Sequence, residues 1–350
     1  MNHILMLGAG FSRNWGGWTS EELIGDLLGR LAATPDIQRR LQTERNFESV
    51  FSELLGRSKH DATPEAREAF ACYQAAIRRS FEEMNQAYVR LENELDFFDI
   101  KTAAPEKEKY RVNRFLESFD AIFTLNQDLL LELFYRPNQT DAHRWNEIYF
   151  PMVEQPDQWT KVHWSKKDRM QLLRETWTTD APLAPPPEFG QPVYKLHGSV
   201  NWRTADNKEV FVIGANKDAD IQRSQTLRLY AEEFIRRISE TPTRLMVIGY
   251  SFRDEHINNA ILSAAKLKNL SLFVVDPEGY DVFKSDFPAH VTDYSPFSGL
   301  QFINQRKELI RIPCVGISTR PLSSTFRDDV LEWDKLFRFF VAPPVEPITP

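Results

Sequence analysis

Asn126, Asp128 and His197 are the residues of this chain whose types and settings suit proton transfer and charge stabilisation. They stand in IFTLNQD (122–128) and YKLHGS (194–199), apolar, strand-like runs that break into small and polar residues. Two further segments share this form, LMLGAGFS (5–12) and VIGYSFRDEHIN (247–258). In an α/β protein such breaks lie at the carboxyl ends of parallel strands, where ligands bind. A neutral amide such as Asn126 orients water or a sugar hydroxyl without imposing charge, and a carboxylate such as Asp128 stabilises a cationic sugar. His197 accepts a proton near neutral pH, which suits activation of a ribose hydroxyl or a water. Each residue also has a plain structural role open to it. Asn126 and Asp128 suit an Asx-type turn capping the LLLELF helix that follows, and a lone histidine often serves packing alone.

Gly8-Ala9-Gly10 follows a buried strand, so its backbone can approach a pyrophosphate at the start of a helix. A tight strand-to-helix connection uses the same residues, and both readings stand. The dehydrogenase fingerprint is absent: no third glycine follows at the required spacing, and Glu21, Glu22 and Asp26 fall on a helix instead of ending a second strand. Gly249 and Ser251 form a second turn of this kind, with Asp254 at the start of the next helix. Asp276 ends the strand LSLFVVD (270–276), where a carboxylate can accept hydrogen bonds from an adenosine ribose. For Gly249, Ser251 and Asp276 a turn or a cap accounts for the residue as well as ligand contact does.

The elements that must position these residues alternate. A strand breaking into a glycine-rich turn is expected at 3–10 and further strands at 120–126, 192–198, 209–215, 244–250 and 270–276, with helices at 226–240 and 255–267. That alternation is the mark of a mostly parallel sheet with right-handed crossovers, a Rossmann-like α/β fold flanked by helices. Thr19 and Glu22 have capping-box spacing at the head of a helix carrying Leu23, Leu27, Leu28 and Leu31. Apolar residues at helical spacing run from Phe47 to Phe98, through Tyr73, Ile77, Phe81, Met84, Tyr88, Leu91 and Leu95. Residues 35–118 therefore read as a helical module inserted into a domain formed by 1–34 and 119–284, and its aromatic stripe reads as core. Between 137 and 192 the chain is rich in Trp and Pro, a surface excursion beside the site that is either a lid or partner contact or an ordered loop that only covers the core. Residues 285–350 form a C-terminal extension suited to assembly or partner contact, with one helix carrying Phe326, Val330, Trp333, Leu336, Phe337 and Phe340.

Composition excludes several classes. A net charge of −7 argues against a dedicated nucleic-acid surface. Two cysteines, Cys72 and Cys314, cannot make a disulfide framework or a four-cysteine zinc site, and no metal is expected. No apolar run reaches the roughly 20 residues that span a bilayer. The N-terminus enters a strand without a secretory pattern, so a cytoplasmic protein is expected.

The ordered set GAGFS, TLNQD, LHGS and GYSFRD resembles the sirtuin family, and within it the bacterial sirtuin-like branch of NAD-degrading antiphage effectors. The resemblance covers roughly 1–34 and 119–280. It implies NAD as substrate, with Asn126 positioning the water or ribose, His197 as catalytic base and Asp128 at the nicotinamide end. Gly8, Ala9, Gly10, Phe11 and Ser12 would hold the dinucleotide, joined by Gly249, Ser251 and Asp276. Protein-deacylating sirtuins carry a four-cysteine zinc ribbon that this chain cannot form, and GYSF replaces their simpler glycine-threonine-serine turn. The expected reaction is therefore hydrolysis of the nicotinamide–ribose bond. A deacylase or ADP-ribosyltransferase, and a non-catalytic NAD or ADP-ribose sensor, are the alternatives. Because unregulated NAD loss is toxic, the resemblance further implies a homo-oligomer under control of a separate partner such as a HerA-type ring ATPase.

Overall fold

A computed structural model describes residues 1–61, 63–90, 111–137, 144–156, 159, 165–214, 217–240, 242–267, 270–283, 306–327 and 329–341. Seven parallel strands form the main sheet: β1 (Asn2–Leu7), β2 (Ala121–Thr124), β3 (Glu147–Tyr149), β6 (Gly190–Lys195), β9 (Thr243–Ile248), β10 (Leu270–Val275) and β11 (Cys314–Ser318). Their order is β11-β10-β9-β1-β2-β6-β3. From β1 the chain moves outward through β2 toward β6 and β3, and from β9 it moves outward the other way through β10. The loops after β1 and β9 thus leave neighbouring strands in opposite directions, which opens a crevice at the carboxyl edge. Ile4, Leu5, Met6 and Leu7 are fully buried, as befits a central strand covered on both faces.

Between β1 and β2 lie α1 (Ala9–Arg13), α2 (Ser20–Arg30), α3 (Pro35–Glu44), α4 (Phe47–His60), α5 (Pro64–Arg90) and α6 (Val112–Glu117). The Thr19 hydroxyl accepts from the Glu22 amide and the Glu22 carboxylate accepts from the Thr19 amide, so the capping box forms at the head of α2. Tyr73, Ile77, Phe81, Met84 and Tyr88 line the buried side of α5, spaced by three or four residues. Leu91, Leu95 and Phe98 lie outside the described residues. Helix α5 is tied to its neighbours: Tyr73 Oη donates to the Phe47 carbonyl (3.0 Å), and Ser80 Oγ donates to Asp26 of α2 (2.6 Å).

Further along, α7 (Leu130–Phe134), α8 (Lys166–Leu172), α9 (Lys217–Arg223), α10 (Gln225–Ser239) and α11 (Glu255–Lys266) complete the flanking layers. Helix α10 packs on β1, β6 and β9, and α11 on β10. Among the described residues no helix is long and apolar enough to cross a membrane.

Two expectations are corrected. The run at 209–215 is not a strand of the main sheet: only Glu209–Phe211 (β8) is extended, and it belongs to a second, four-stranded sheet. That sheet joins β4 (Val153–Glu154), β5 (Trp177–Thr179), β7 (Gly198–Arg203) and β8, with β7 and β8 antiparallel. Gly198 takes φ of +71°, which turns β6 directly into β7. The excursion at 137–192 therefore supplies strands to both sheets, and two of its tryptophans are packing: Trp159 and Trp177 are buried and meet edge to face. Trp164 lies outside the described residues. The segment after 285 is the second correction, because β11 adds a strand to the main sheet beside β10. The helix Val330–Val341 then packs against β11, and its Phe339 carbonyl accepts from buried Arg244 (2.6 Å).

Candidate active site

One row of the sheet sets the level of the site. Leu7 pairs with Thr124 and with Ile248, Thr124 pairs with Lys195, and Ile248 pairs with Val275. Four chain segments therefore leave the sheet at the same height, and Asp276 follows Val275 at that height too. Asn126 and His197 each stand two residues beyond the paired Thr124 and Lys195. Pairing holds their segments together past the strands: the Leu196 amide donates to the Thr124 carbonyl (2.9 Å) and the Val200 amide to the Gln127 carbonyl (3.2 Å).

The glycine turns after β1 and β9 press against each other. A methyl on Gly8 would lie 2.4 Å from the Gly249 carbonyl oxygen, and one on Gly10 would lie 2.7 Å from the Gly249 Cα. The Gly8 and Gly10 amides donate to the Ile248 and Gly249 carbonyls (2.9 and 3.0 Å). These glycines are thus required by backbone packing, and those two amides are engaged within the protein. Gly249 has φ of +61° and would place a methyl 2.4 Å from the Gly10 Cα. Gly249→Ala is expected to destabilise the fold by about 1–3 kcal/mol through steric overlap and left-handed backbone strain. Urea unfolding checks this, and an unchanged midpoint would refute the close approach.

Asn126 is fixed by its amide nitrogen, which donates to the Gly8 carbonyl (2.9 Å) and to Ser12 Oγ (3.0 Å). Because a carbonyl can only accept, the Nδ2 end must face Gly8, and the Oδ1 end faces away. Oδ1 takes no hydrogen bond from the described residues, so it remains available to accept from a hydroxyl or water. Buried Ser12 lies beside both the Asp128 carboxylate and the Tyr88 hydroxyl of α5. Asp128 itself is buried and accepts from the Leu130 amide (3.0 Å), the Asx-type turn at the head of α7. Burial pushes its carboxyl above the usual range, although the charge of Lys195 opposes this. Asp128 therefore lies beside Ser12, which in turn accepts from Asn126.

His197 lies in the β6–β7 turn, buried at 3 % exposure, with its Nε2 3.2 Å from Nε2 of His256. One ring nitrogen donates and the other accepts across this contact. Burial drives the His197 ring well below its usual value; Lys217 and His256 add to this and Asp254 opposes it. Burial also lowers His256, against Asp254 and Asp218. Both rings are accordingly neutral at pH 7, which leaves a lone pair able to take a proton. Lys217 Nζ sits 2.5 Å from Asp254 Oδ1 and 2.9 Å from Glu48 Oε2, joining α9, the loop before α11 and α4. Burial raises Asp254, but the charge and hydrogen bond of Lys217, together with His197 and His256, outweigh that and hold its carboxyl at about 2. The helical segment between β1 and β2 thus reaches the site through Glu48 and Tyr88.

The remaining expected residues are spread along the same edge. Phe11 is buried against Trp15, 4.6 Å between ring centroids, and acts in the core rather than as a ligand contact. The Ser251 side chain is exposed, while its carbonyl accepts from Arg306 (2.8 Å). Asp276 is partly buried and accepts from the Glu278 amide (2.9 Å), and burial raises its carboxyl. Sequence reasoning left His256, Lys217 and Glu48 without roles. His256 had a visible signal, since it follows Asp254 by two residues in a motif already placed at a strand end. Glu48 and Lys217 had none, because an acidic residue in α4 and a lysine after β8 look like solvated charges.

A parallel sheet with a crevice at its switch point, rimmed by an amide, two neutral imidazoles and carboxylates, defines a Rossmann-like α/β protein, and proteins of this fold bind ligands at such a crevice. Residues 120–286 match the family model described as a SIR2-like domain. Residues 120–286 are thus similar to SIR2-like domains, which points to an NAD-using enzyme, and this segment contains Asn126, Asp128, His197, Asp254, His256 and Asp276. No curated protein matches the chain significantly. The residues present fit NAD: Oδ1 of Asn126 can accept from a ribose hydroxyl, Ala9 and Gly10 stand partly exposed at the crevice, and Asp276 offers a carboxylate one strand beyond Gly249.

Proposed function

We propose that this protein hydrolyses NAD at the nicotinamide–ribose bond, releasing nicotinamide and ADP-ribose. The observation that carries this reading is the pairing of Asn126 and His197 at equal height past β2 and β6, with Oδ1 of Asn126 unengaged among the described residues and His197 neutral. Asn126 would hold the ribose or the attacking water by its carbonyl oxygen. His197 would take the proton as water adds to the ribose carbon and the bond to nicotinamide breaks. The net change is NAD plus water to nicotinamide, ADP-ribose and a proton. The carboxylate of Asp254, beside the imidazoles, favours the positive charge that develops on the sugar. Glu48 and Tyr88 bring α4 and α5 to this edge, and the two cysteines leave no four-cysteine ribbon to build the peptide channel of a deacylase. A role as an antiphage effector, a homo-oligomeric assembly and control by a ring ATPase of the HerA type belong to the same proposal. All three come from the family resemblance.

The test is nicotinamide release from NAD by purified protein without any acylated peptide. Turnover by wild type, reduced at least about a hundredfold in Asn126→Ala, is the expected result. Turnover that requires an acyl-lysine or protein acceptor would replace hydrolysis by group transfer. NAD binding without turnover, alone and with a candidate ATPase, would leave a sensor.

A further inference from the structure

The sequence gives no reason to expect a metal, yet His197, Asp254 and His256 offer three ligand atoms that all lie within 4.8 Å of one another. We infer that this trio is a binding site for a divalent transition ion of the zinc class. The geometry is specific. In a tetrahedral site with Zn–N bonds of about 2.0–2.1 Å, two nitrogens stand roughly 3.3–3.4 Å apart. The two Nε2 atoms stand 3.2 Å apart, so an ion can replace the proton between them with little movement of either ring. Asp254 supplies an oxygen as third ligand, and its Oδ2 takes no hydrogen bond from the described residues. A water or a substrate group would complete the tetrahedron, the arrangement of an open rather than a structural site.

The surroundings support a cation. Asp218 Oδ1 lies 3.7 Å from Nδ1 of His256, on the side of the ring away from His197. A carboxylate there is what a metal-bound imidazole commonly has behind it, and a small shift would bring it into hydrogen-bond range. Lys217 is the opposing feature, since its ammonium already holds Oδ1 of Asp254. Glu48 shares that ammonium, so two carboxyl groups face one ammonium in the cluster of Glu48, Asp254 and Lys217, although burial pushes the Glu48 carboxyl up. With Asp218 at its rim, the cluster favours the addition of a cation. A metal here would occupy the lone pair of His197 and so inhibit any reaction that uses this ring as a base. That consequence rests on the proposed hydrolysis, whereas the binding site does not.

Titration of the full-length, metal-stripped protein with Zn2+ alone, in the absence of NAD, tests the site by calorimetry. Co2+ absorption serves as an independent readout of geometry. One saturable equivalent is expected, with the intense visible absorption of a tetrahedral cobalt ion. His256→Gln should weaken binding by more than about 100-fold, since even changes behind a ligand cost 10–100-fold. Asp254→Asn tests the oxygen ligand without removing its bulk, and circular dichroism with urea unfolding verifies that both variants fold. No saturable binding by wild type, or equal affinity in wild type and both folded variants, would overturn the site. The imidazoles would then be a hydrogen-bonded pair only. If Zn2+ binds as expected but NAD is never hydrolysed, the site stands and the hydrolase reading falls.

Discussion

Replacing His197 with alanine is expected to lower nicotinamide release from NAD by about 10²–10⁴-fold, the usual effect of removing a general base. His197→Gln should do the same while keeping the volume of the β6–β7 turn, which separates lost chemistry from lost packing. The pH dependence makes the prediction sharper. Burial holds the ring well below its usual value of 6.5, so its base form persists as pH falls through 6.5. Wild-type turnover should therefore show no acid limb near 6.5 and should decline only well below it. Stability carries the matching sign. The folded state resists a proton that the unfolded chain accepts, so stability is complete above about 6.5 and is lost as pH falls toward the folded value. His256 shares that direction and adds to the loss. His197→Gln should show a shallower loss of stability over this window. Steady-state rates and urea midpoints between pH 5 and pH 8 give both answers, and unchanged turnover in His197→Gln would remove this residue from the chemistry.

The sheet was legible in the sequence where a strand is buried on both faces. The runs ending at Leu7, Thr124, Lys195, Ile248 and Val275 are continuous apolar stretches broken by turn residues, and the structure aligns those five ends in one row. Local signals failed where a segment is short and takes its conformation from a partner. Val212 and Ile213 extend the apolar run of β8 but lie beyond its end, because the Val212 amide is claimed by the His197 carbonyl (3.0 Å). Gly316 and Cys314 gave β11 no strand-like alternation, yet a methyl on Gly316 would lie 2.4 Å from the Phe273 ring, so a small residue is what permits β11 to pair with β10. The site divides in the same way. Asn126 and His197 were visible because each closes a strand. Lys217 meets Glu48 and Asp254 only through tertiary ion pairs, the first between residues 169 positions apart, which no local pattern encodes.

Lys195→Met is expected to destabilise the protein by about 3–5 kcal/mol, the cost of stranding a buried partner charge. Lys195 and Glu132 are 2 % and 1 % exposed, and their charged atoms lie 2.5 Å apart beneath the site. Burial already pushes the Glu132 carboxyl above its usual value, and the charge of Lys195 is what opposes that. Without the lysine, Glu132 must take a proton or remain charged in an apolar setting. The sign of the pH dependence follows. A carboxyl raised in the folded state binds its proton more readily there than in the unfolded chain, so the penalty grows as pH rises above the ordinary value of 4.5. Compared with wild type at the same pH, the Lys195→Met deficit should therefore be larger at pH 8 than at pH 5. Adding Glu132→Leu should recover most of the loss, because an apolar pair of similar volume often replaces a buried ion pair at little cost. Recovery should stop short by about 1 kcal/mol, since Lys195 also donates to the Asp128 carbonyl (2.6 Å) and that bond is gone in both variants. Urea unfolding of the two single variants and the double variant measures the coupling directly. Additive losses, with no recovery in the double variant, would show that the pair is not coupled. Under the proposed hydrolysis, the bond to Asp128 also gives the pair a part in function. It ties the end of β6, two residues before His197, to the turn that carries Asn126, so the double variant should regain stability while the two site residues lose one of the links that hold them in register.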